Sequence, residues 1–282
     1  MIDMVVEPIS RDFGARVPIP AAHILDAGVP ERCLELLDAW GVLVFPRIAV
    51  SDETQVAFSN RLGTMLGSKL RPKADAAADN LGIYPVTLDP NRARFLDYIH
   101  SNEHWHMDGT TYAIPPKATN LKCEVPPASG GDTEFANLFA AYAELPAARK
   151  SQLRDLRVVH SAEAANARYF TNPSAEDLQR WRRDGPPREQ PLVWTHADGR
   201  KSVVIGSTAD HIVGMDREQG RALLDELLAW CTQSRFCYRH AWQQGDMVVW
   251  NNCGLLHRAH PYTVDSGRLM HRTTIMGAGS PA

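Results

Sequence analysis

The strictest condition on the fold of this chain comes from a histidine and an aspartate two residues apart, His106 and Asp108. In an extended segment, residues two apart point to the same side of the strand. An imidazole nitrogen and a carboxylate oxygen would then converge on one point, as two of the three ligands in a 2-His-1-carboxylate metal site do. Because so short a pattern often arises by chance, it has meaning only if the fold supplies a third ligand.

The candidate third ligand is His257, which lies far along the chain from Asp108. Ligands so distant in sequence require separate strands to pack together, as they do when a jelly-roll barrel closes a site between its two sheets. The chain has 11 histidines, so a histidine that simply hydrogen-bonds at a strand end is the competing interpretation.

Two arginines follow His257 at positions that share one face of a strand, Arg268 and Arg272. Guanidinium groups that point into a barrel are costly unless anions meet them. The planar fork of arginine suits the capture of a carboxylate. The alternative is that both arginines make structural salt bridges, or that one of them faces solvent.

The hydrophobic pattern predicts an α+β chain that is mainly β, a sandwich or barrel decorated by helices. Strands are predicted over 42–45, 118–125, 236–242, 247–250 and 269–276, with a hairpin over 193–206. Predicted helices begin near Pro30, Ser51, Asn137, Ser174 and Asp216. Val56, Leu62 and Leu66 are expected to face inward from the helix that Ser51 caps. Residues 68–79 predict a surface loop, with a lid over the site as the alternative.

Composition narrows the class of function. The 282 residues carry a formal net charge of −3 and are 44% hydrophobic, which gives no reason to expect binding to nucleic acid or to an anionic membrane. The five cysteines show no C-x-x-C pairing, which is typical of free thiols in a reducing compartment. With neither a signal peptide nor an apolar run long enough to span a membrane, a cytoplasmic location is expected.

Several further segments accompany the histidine–aspartate pair. They are Trp105-His106-x-Asp108, Gly130-Gly131-Asp132-Thr133 with 135–137 behind it, and the stretches 195–202, 212–215, 245–250 and 257–272. Together they make the chain resemble the taurine/2,4-dichlorophenoxyacetate dioxygenase family over roughly residues 30–277. That family consists of Fe(II)- and 2-oxoglutarate-dependent oxygenases with a double-stranded β-helix (jelly-roll, cupin-like) core flanked by helices.

The resemblance implies a role for each matching residue. His106, Asp108 and His257 would be the iron ligands. Thr133 and Arg268 match the pair that holds the distal carboxylate of 2-oxoglutarate. Arg272 matches an anchor for an anionic substrate group, and Asn102 matches an asparagine near substrate and cosubstrate. These assignments come from the family and not from spacing.

The resemblance also implies the reaction: a small organic anion is oxidised with dioxygen while 2-oxoglutarate is decarboxylated to succinate. Related halogenases lack the carboxylate at the position of Asp108, so its presence favours hydroxylation, bond cleavage or desaturation. The expected organisation is a single catalytic domain over 1–282, with a helical N-terminal part and a polar insertion near 161–192. Members of the family are often dimers or tetramers, so the resemblance is also compatible with a homo-oligomer.

Two alternatives and one departure from the family pattern stay open. The same chemistry could serve as a tailoring oxygenase or desaturase in natural-product biosynthesis, or the barrel could bind metal without catalysis. The family commonly has Trp-Asp-Asn-Arg before the distal histidine, whereas this chain has Trp250-Asn251-Asn252-Cys253. The support around the ligands is therefore expected to differ more than the chemistry. His104 and His271 are expected to stay outside the ligand set, with His271 on the opposite side of its strand.

Overall fold

A computed structural model describes residues 4–11, 13–66, 82–89 and 100–279 of the chain. The strands are β1 (Glu7–Pro8), β2 (Ala15–Arg16), β3 (Val42–Phe45), β4 (Tyr84–Val86), β5 (Ala118–Val125), β6 (Thr133–Asn137), β7 (Arg157–His160), β8 (Arg188–Pro191), β9 (Val193–Thr195), β10 (Lys201–Val203), β11 (Ala209–Ile212), β12 (Cys237–His240), β13 (Met247–Asn251), β14 (Leu255–Ala259) and β15 (Leu269–Ile275). The helices are α1 (Val29–Trp40), α2 (Asp52–Leu62), α3 (Leu138–Ala143), α4 (Ala147–Leu153), α5 (Ala162–Asn166), α6 (Ala175–Asp184) and α7 (Arg217–Cys231).

The largest sheet has seven strands in the order β1-β2-β3-β13-β5-β15-β4. A three-stranded sheet, β12-β6-β14, is antiparallel throughout. Two smaller sheets complete the fold, with the orders β11-β7-β8 and β10-β9. Because the neighbours from β3 to β4 in this order come from distant parts of the sequence, the sheet brings the N-terminal, middle and C-terminal thirds of the chain together.

Both faces of the large sheet are covered, which explains why β3 is apolar along its whole length. Leu43 and Phe45 belong to a core shared with α1 and α2. Val42 and Val44 point the other way, into a core shared with Phe135 of the three-stranded sheet. Two facing sheets with one apolar layer between them form the sandwich of a jelly roll. The predicted α+β fold class with a jelly-roll core is confirmed.

Local signals in the sequence position the helices. Ser51 caps α2 by accepting a hydrogen bond from the Thr54 amide, 3.2 Å away. Ser174 and Asp177 form a complete capping box at the start of α6. The predicted hairpin is also present, with β9 and β10 paired antiparallel. The five cysteines are free thiols, as expected.

The inward face of α2 agrees with the prediction at Leu62, which is buried, and differs from it at Val56; Leu66 lies beyond the end of the helix. Gln55 and Ser59 are fully buried, whereas Val56 is only half-buried. The reason is that α2 packs on polar positions of the sheet: the Gln55 amide donates to the His271 carbonyl at 2.9 Å, and the Ser59 hydroxyl pairs with that of Thr273 at 2.7 Å. Hydrogen bonds to the sheet therefore orient this helix together with the apolar contacts of Leu62.

The stretch 161–192 carries α5, α6 and β8, and β8 pairs antiparallel with β7. Among the helices that the structure describes, none has the length and apolarity to cross a bilayer. The loop predicted over 68–79 lies outside the described residues.

Candidate active site

The three predicted metal ligands meet where the segment before Gly109 pairs with β14. His106 and His257 form an isolated antiparallel bridge, with N–O distances of 3.0 and 2.9 Å between their main chains. Nε2 of His106 lies 4.0 Å from Oδ1 of Asp108, and Nε2 of His257 lies 3.7 Å from Oδ2. One ligand atom from each side chain falls within 4.8 Å of the others, and all three residues are buried. The sequence pattern and the distant histidine therefore form one cluster.

A turn immediately after the pair aims the carboxylate. His106 is extended, but the chain turns at Asp108. Gly109 has a φ of +72°, and a Cβ there would lie 2.2 Å from Cδ of Pro116. Only glycine fits this position. The prediction of an extended segment thus holds for His106, whereas Asp108 reaches the cluster from the first residue of a turn.

The ring of His106 is held by the backbone of His104, two residues before it. Nδ1 of His106 lies 2.8 Å from the carbonyl oxygen of His104. A carbonyl can only accept, so Nδ1 carries the proton and Nε2 keeps its lone pair. The ring of His104 contacts Tyr169, with 5.2 Å between centroids. His104 therefore contributes a backbone acceptor, and its ring lies outside the ligand set, as expected.

Asp108 is fixed through one of its two oxygens. Oδ2 accepts hydrogen bonds from the Thr119 hydroxyl at 3.0 Å and from Nη2 of Arg272 at 2.7 Å. Thr119 in turn accepts from the Asn252 amide at 3.0 Å. Since that amide nitrogen only donates, the Thr119 proton is directed to Asp108. Oδ1 is the oxygen nearer to His106.

Burial and charge set the protonation of the cluster. Burial lowers the pKa of His106, and it lowers the pKa of His257 well below the usual range of a histidine. For Asp108 burial acts in the raising direction, but the positive charge of Arg272, then the adjacent imidazole rings and the hydrogen bond from Thr119, outweigh it, so the pKa lies well below its usual range. The set presents two neutral imidazoles and one carboxylate at neutral pH.

This donor set fits a divalent metal ion. Neutral imidazole and carboxylate are ligands of the mid-series divalent metals, and three donors on one side leave other coordination positions open. The side chains are already deprotonated, so binding would not have to displace their protons. The tautomer fixed at His106 is the one that offers Nε2 to the ion.

A cavity beside the ligands contains the other predicted site residues. Its wall includes Asn102, Thr133, Arg268 and Arg272 together with His106 and His257. Apolar and aromatic side chains form the remainder: Val86, Leu121, Trp250, Ala259 and Tyr262. All seven predicted site residues thus lie at one place between the two facing sheets.

Arg268 is a buried arginine in the wall of this cavity. It is 3% exposed, and its Nε finds no hydrogen-bond partner among the described residues. Burial lowers the pKa of the guanidinium, but an arginine stays protonated in a protein. Its guanidinium carbon lies 4.7 Å from the Tyr262 ring centre. A Cβ on Gly131 would come within 3.0 Å of Arg268, so this glycine leaves space for the side chain.

Arg272 forms part of the cavity wall. It sits opposite Leu121 of β5 and Tyr84 of β4 in the register of β15. Its neighbour His271 faces the other side of the sheet, where Nδ1 is 2.8 Å from Asp52. A register shift lies between Leu269 and Met270, yet Arg268 and Arg272 both reach the same cavity, as their spacing predicted.

The structure adds residues that the sequence patterns did not single out. Thr119 and Asn252 support Asp108, and Nε1 of Trp242 lies 3.0 Å from Oγ1 of Thr133. Asn251 accepts a hydrogen bond from the Cys253 amide at 3.0 Å. Two asparagines therefore organise the segment in which the family pattern has an Asp and an Arg. The position of Asn252 in that pattern was the one signal that could have found it.

Comparisons with known proteins agree with this geometry. A sequence model of the family described as "Taurine catabolism dioxygenase TauD, TfdA family" matches residues 6–274. The alpha-ketoglutarate-dependent 2,4-dichlorophenoxyacetate dioxygenase of Cupriavidus pinatubonensis is 35% identical over 98% of both chains. The alpha-ketoglutarate-dependent sulfate ester dioxygenase of Pseudomonas putida is 28% identical over 98% of this chain and 90% of its own.

A solved structure shares the whole fold. The structure of AAD-2 in complex with Mn(II) and N-oxalylglycine superposes with a TM-score of 0.87 at 28% identity, covering 99% of both chains. Because the family match spans most of the sequence and the ligand cluster lies in the same jelly-roll core, this chain belongs to the TauD/TfdA family of dioxygenases.

Proposed function

We propose that this protein is an Fe(II)- and 2-oxoglutarate-dependent dioxygenase that oxidises a small organic anion and releases succinate. The observation that carries the proposal is the buried, incompletely satisfied Arg268 guanidinium beside Thr133, in the same cavity as the three-ligand cluster. We further propose that the chain forms one catalytic domain.

Arg268 and Thr133 have the chemistry to bind the distal carboxylate of 2-oxoglutarate, and we call this pair the cosubstrate seat. A buried guanidinium without an anion is costly, and a carboxylate matches its planar donors. The Thr133 hydroxyl adds a second donor, and both residues line the cavity. A protein that only stored metal would have no use for such a seat, which argues against the non-catalytic alternative.

The substrate site is proposed on the other side of the cavity, around Arg272. Arg272 lines the cavity and donates a hydrogen bond to Asp108. Leu121 and Val86 supply apolar wall next to it. A charged anchor beside apolar side chains suits a carboxylate attached to a hydrophobic body. We therefore propose an aryloxyalkanoate-type acid, the substrate class of the relative from C. pinatubonensis.

The roles of the residues divide as follows. His106, Asp108 and His257 hold the metal, which supplies the dioxygen chemistry that side chains cannot perform. Thr119 and Asn252 keep the Asp108 carboxylate oriented. Arg272 orients the substrate anion, and the buried cavity keeps bulk water away from the reacting groups.

A second candidate is a tailoring oxygenase of natural-product biosynthesis. Pentalenolactone F synthase of Streptomyces arenae is 29% identical, but the match covers only 60% of each chain. The same cosubstrate seat would serve this function, so the two candidates differ in substrate and not in cofactor chemistry.

The test begins with an anaerobic titration of the protein with Fe(II) and then with 2-oxoglutarate. The visible charge-transfer band is the signal that monitors binding. Succinate release is then measured with phenoxyacetate, an alkyl sulfate, an alkyl sulfonate and a terpenoid lactone. We expect a band with wild type and the largest succinate release with phenoxyacetate. Metal binding without a band or succinate would refute the proposal, whereas a preference for the lactone would favour the tailoring alternative.

Two arginine variants test the division of labour. Loss of a charge-assisted hydrogen bond costs about 1.5–3 kcal/mol, or about 10- to 150-fold. Arg268→Gln should raise the KM for 2-oxoglutarate by about that factor. Arg272→Gln should raise the KM of the acid substrate and change the KM for 2-oxoglutarate less than threefold. Arg239→Gln is the matched control, because this half-exposed arginine pairs with Asp132 at 2.6 Å. Equal behaviour of the first two variants would show that the assignment is wrong.

A further inference from the structure

The indole N–H of Trp242 contacts Thr133, a residue of the proposed cosubstrate seat. Nε1 of Trp242 lies 3.0 Å from Oγ1 of Thr133, and the two residues are 7% and 4% exposed. An indole N–H can only donate, so the threonine oxygen must be the acceptor. The hydroxyl proton is then directed away from Trp242. Because Thr133 lines the cavity that Arg268 also enters, this proton is available to an anion there.

The indole is itself held by a buried chain of polar contacts. The ring of His240 meets Trp242 edge-on, with 4.6 Å between centroids. His240 contacts the Tyr238 hydroxyl through Nδ1 at 3.0 Å and the Asp246 carboxylate through Nε2 at 3.1 Å. Asp246 also accepts from the backbone amide of Gln243 at 3.0 Å. His240, the last residue of β12, lies opposite Thr133 in the pairing of β12 with β6, so Trp242 follows directly from the strand that pairs with Thr133.

We propose that Trp242 is a positioning residue that sets the Thr133 hydroxyl as a donor for the distal carboxylate of the cosubstrate. This inference rests on the proposed function, because it takes that carboxylate to lie between Thr133 and Arg268. Trp242 makes the site selective for a 2-oxo acid with a second carboxylate over one that ends in a methyl group. A site with a freely rotating threonine hydroxyl would discriminate less between the two.

The experiment compares two ligands that differ at that end. Anaerobic Fe(II)-loaded protein is titrated with 2-oxoglutarate and with 2-oxopentanoate, which has a methyl group in place of the distal carboxylate. Trp242→Phe should weaken 2-oxoglutarate binding about five- to tenfold, as expected for one lost neutral hydrogen bond. Binding of 2-oxopentanoate should change less than twofold. Trp230→Phe is the matched control, since it removes an indole bond to the Ala141 carbonyl, at 2.9 Å, outside the cavity.

A double variant tests whether the effect passes through Thr133. In a Thr133→Val background, Trp242→Phe should change 2-oxoglutarate binding less than twofold, because the hydroxyl to be oriented is gone. Replacement of Trp242 with benzothienylalanine, which has sulfur in place of the N–H and the same shape, separates the hydrogen bond from packing. It should reproduce the loss seen with Trp242→Phe.

Three results would overturn the inference: equal losses for both ligands, a full further loss in the Thr133→Val background, or no loss with benzothienylalanine. Failure of wild type to bind either 2-oxo acid would instead overturn the proposed function.

Discussion

Strand β15 separates two clusters of histidine and carboxylate side chains, one on each side of the sheet. On the cavity side are His106, Asp108 and His257; on the helix side are Asp52, Glu124 and His271. In each cluster, one ligand atom from every side chain falls within 4.8 Å of the others. By residue type and distance, both could hold a metal ion.

The two clusters differ because a lysine occupies the one on the helix side. Nζ of Lys122 lies 2.7 Å from Asp52, 2.7 Å from Glu124 and 3.0 Å from the Val50 carbonyl. Its three donors are thereby matched by three acceptors, so the chain supplies the cation of the helix-side cluster. In the cavity-side cluster Arg272 reaches Oδ2 of Asp108, and the imidazole nitrogens still face one another. A metal site thus depends on which lone pairs the protein's own cations leave available, as well as on donor types.

The largest expected effect comes from removing ligands on the cavity side. Asp108→Ala and His257→Ala should each weaken Mn(II) or Fe(II) binding more than about 100-fold, since each takes away one of three protein ligands. Anaerobic calorimetry, or the electron paramagnetic resonance signal of Mn(II), measures the affinity.

The helix-side cluster provides the matched controls for this experiment. Asp52→Ala and His271→Ala remove the same residue types, and we expect Mn(II) affinity within threefold of wild type. Comparable losses in the control variants would show that the two clusters are not distinguished by Lys122.

A smaller effect, on stability, is expected from Lys122→Met. The lysine side chain is 4% exposed, while those of its partners Asp52 and Glu124 are 33% and 34% exposed. Breaking a buried ion pair costs about 3–5 kcal/mol, and partial exposure of the carboxylates reduces this to about 2 kcal/mol. Urea denaturation measures the free energy of unfolding.

Lys150→Met serves as the control, because Lys150 is a surface lysine whose Nζ bonds the Ala143 carbonyl at 2.6 Å. It should change stability by less than about 0.5 kcal/mol. If Lys122→Met costs no more than this control, the lysine is not what balances the helix-side carboxylates. Added Mn(II) should raise the thermal midpoint of Lys122→Met more than that of wild type if the vacated position accepts a metal.

Sequence reasoning succeeded where the physics is local or periodic. The alternation of a strand placed Arg268 and Arg272 in the cavity and His271 on the opposite side. Helix caps such as Ser51 and Ser174 depend on residues three apart, so they too could be recognised. The assignment of Thr133 and Asn102 to the site needed the family resemblance, because nothing local in the sequence marks them.

The supporting contacts could not be predicted, because they join strands that only the folded sheets bring together. Thr119 reaches Asp108 across a turn, and Asn252 reaches Thr119 from another strand end. The same limit explains Gln55: the carbonyl of His271 that it binds lies 216 residues away in sequence. Apolar periodicity carries no information about such polar pairs.

The smallest effect tests the charge state of the cavity-side histidines. Burial lowers the pKa of His257 in the folded protein well below the unfolded value of about 6.5. Below pH 6.5 the unfolded chain therefore binds more protons than the folded one, so stability is present above that pH and is lost as pH falls. In chelator-treated wild type, each such histidine should contribute a loss of about 1 kcal/mol between pH 7 and 5.5.

The matching variant is His257→Gln, measured by urea denaturation at the same two pH values. Its loss between pH 7 and 5.5 should be smaller than that of wild type by about 1 kcal/mol. His160, which burial shifts to a pKa of about 4, is present in both proteins and cancels in the comparison. An identical loss in both would mean that His257 is not held neutral by the fold, and the cavity-side cluster would then need to release a proton before it bound metal.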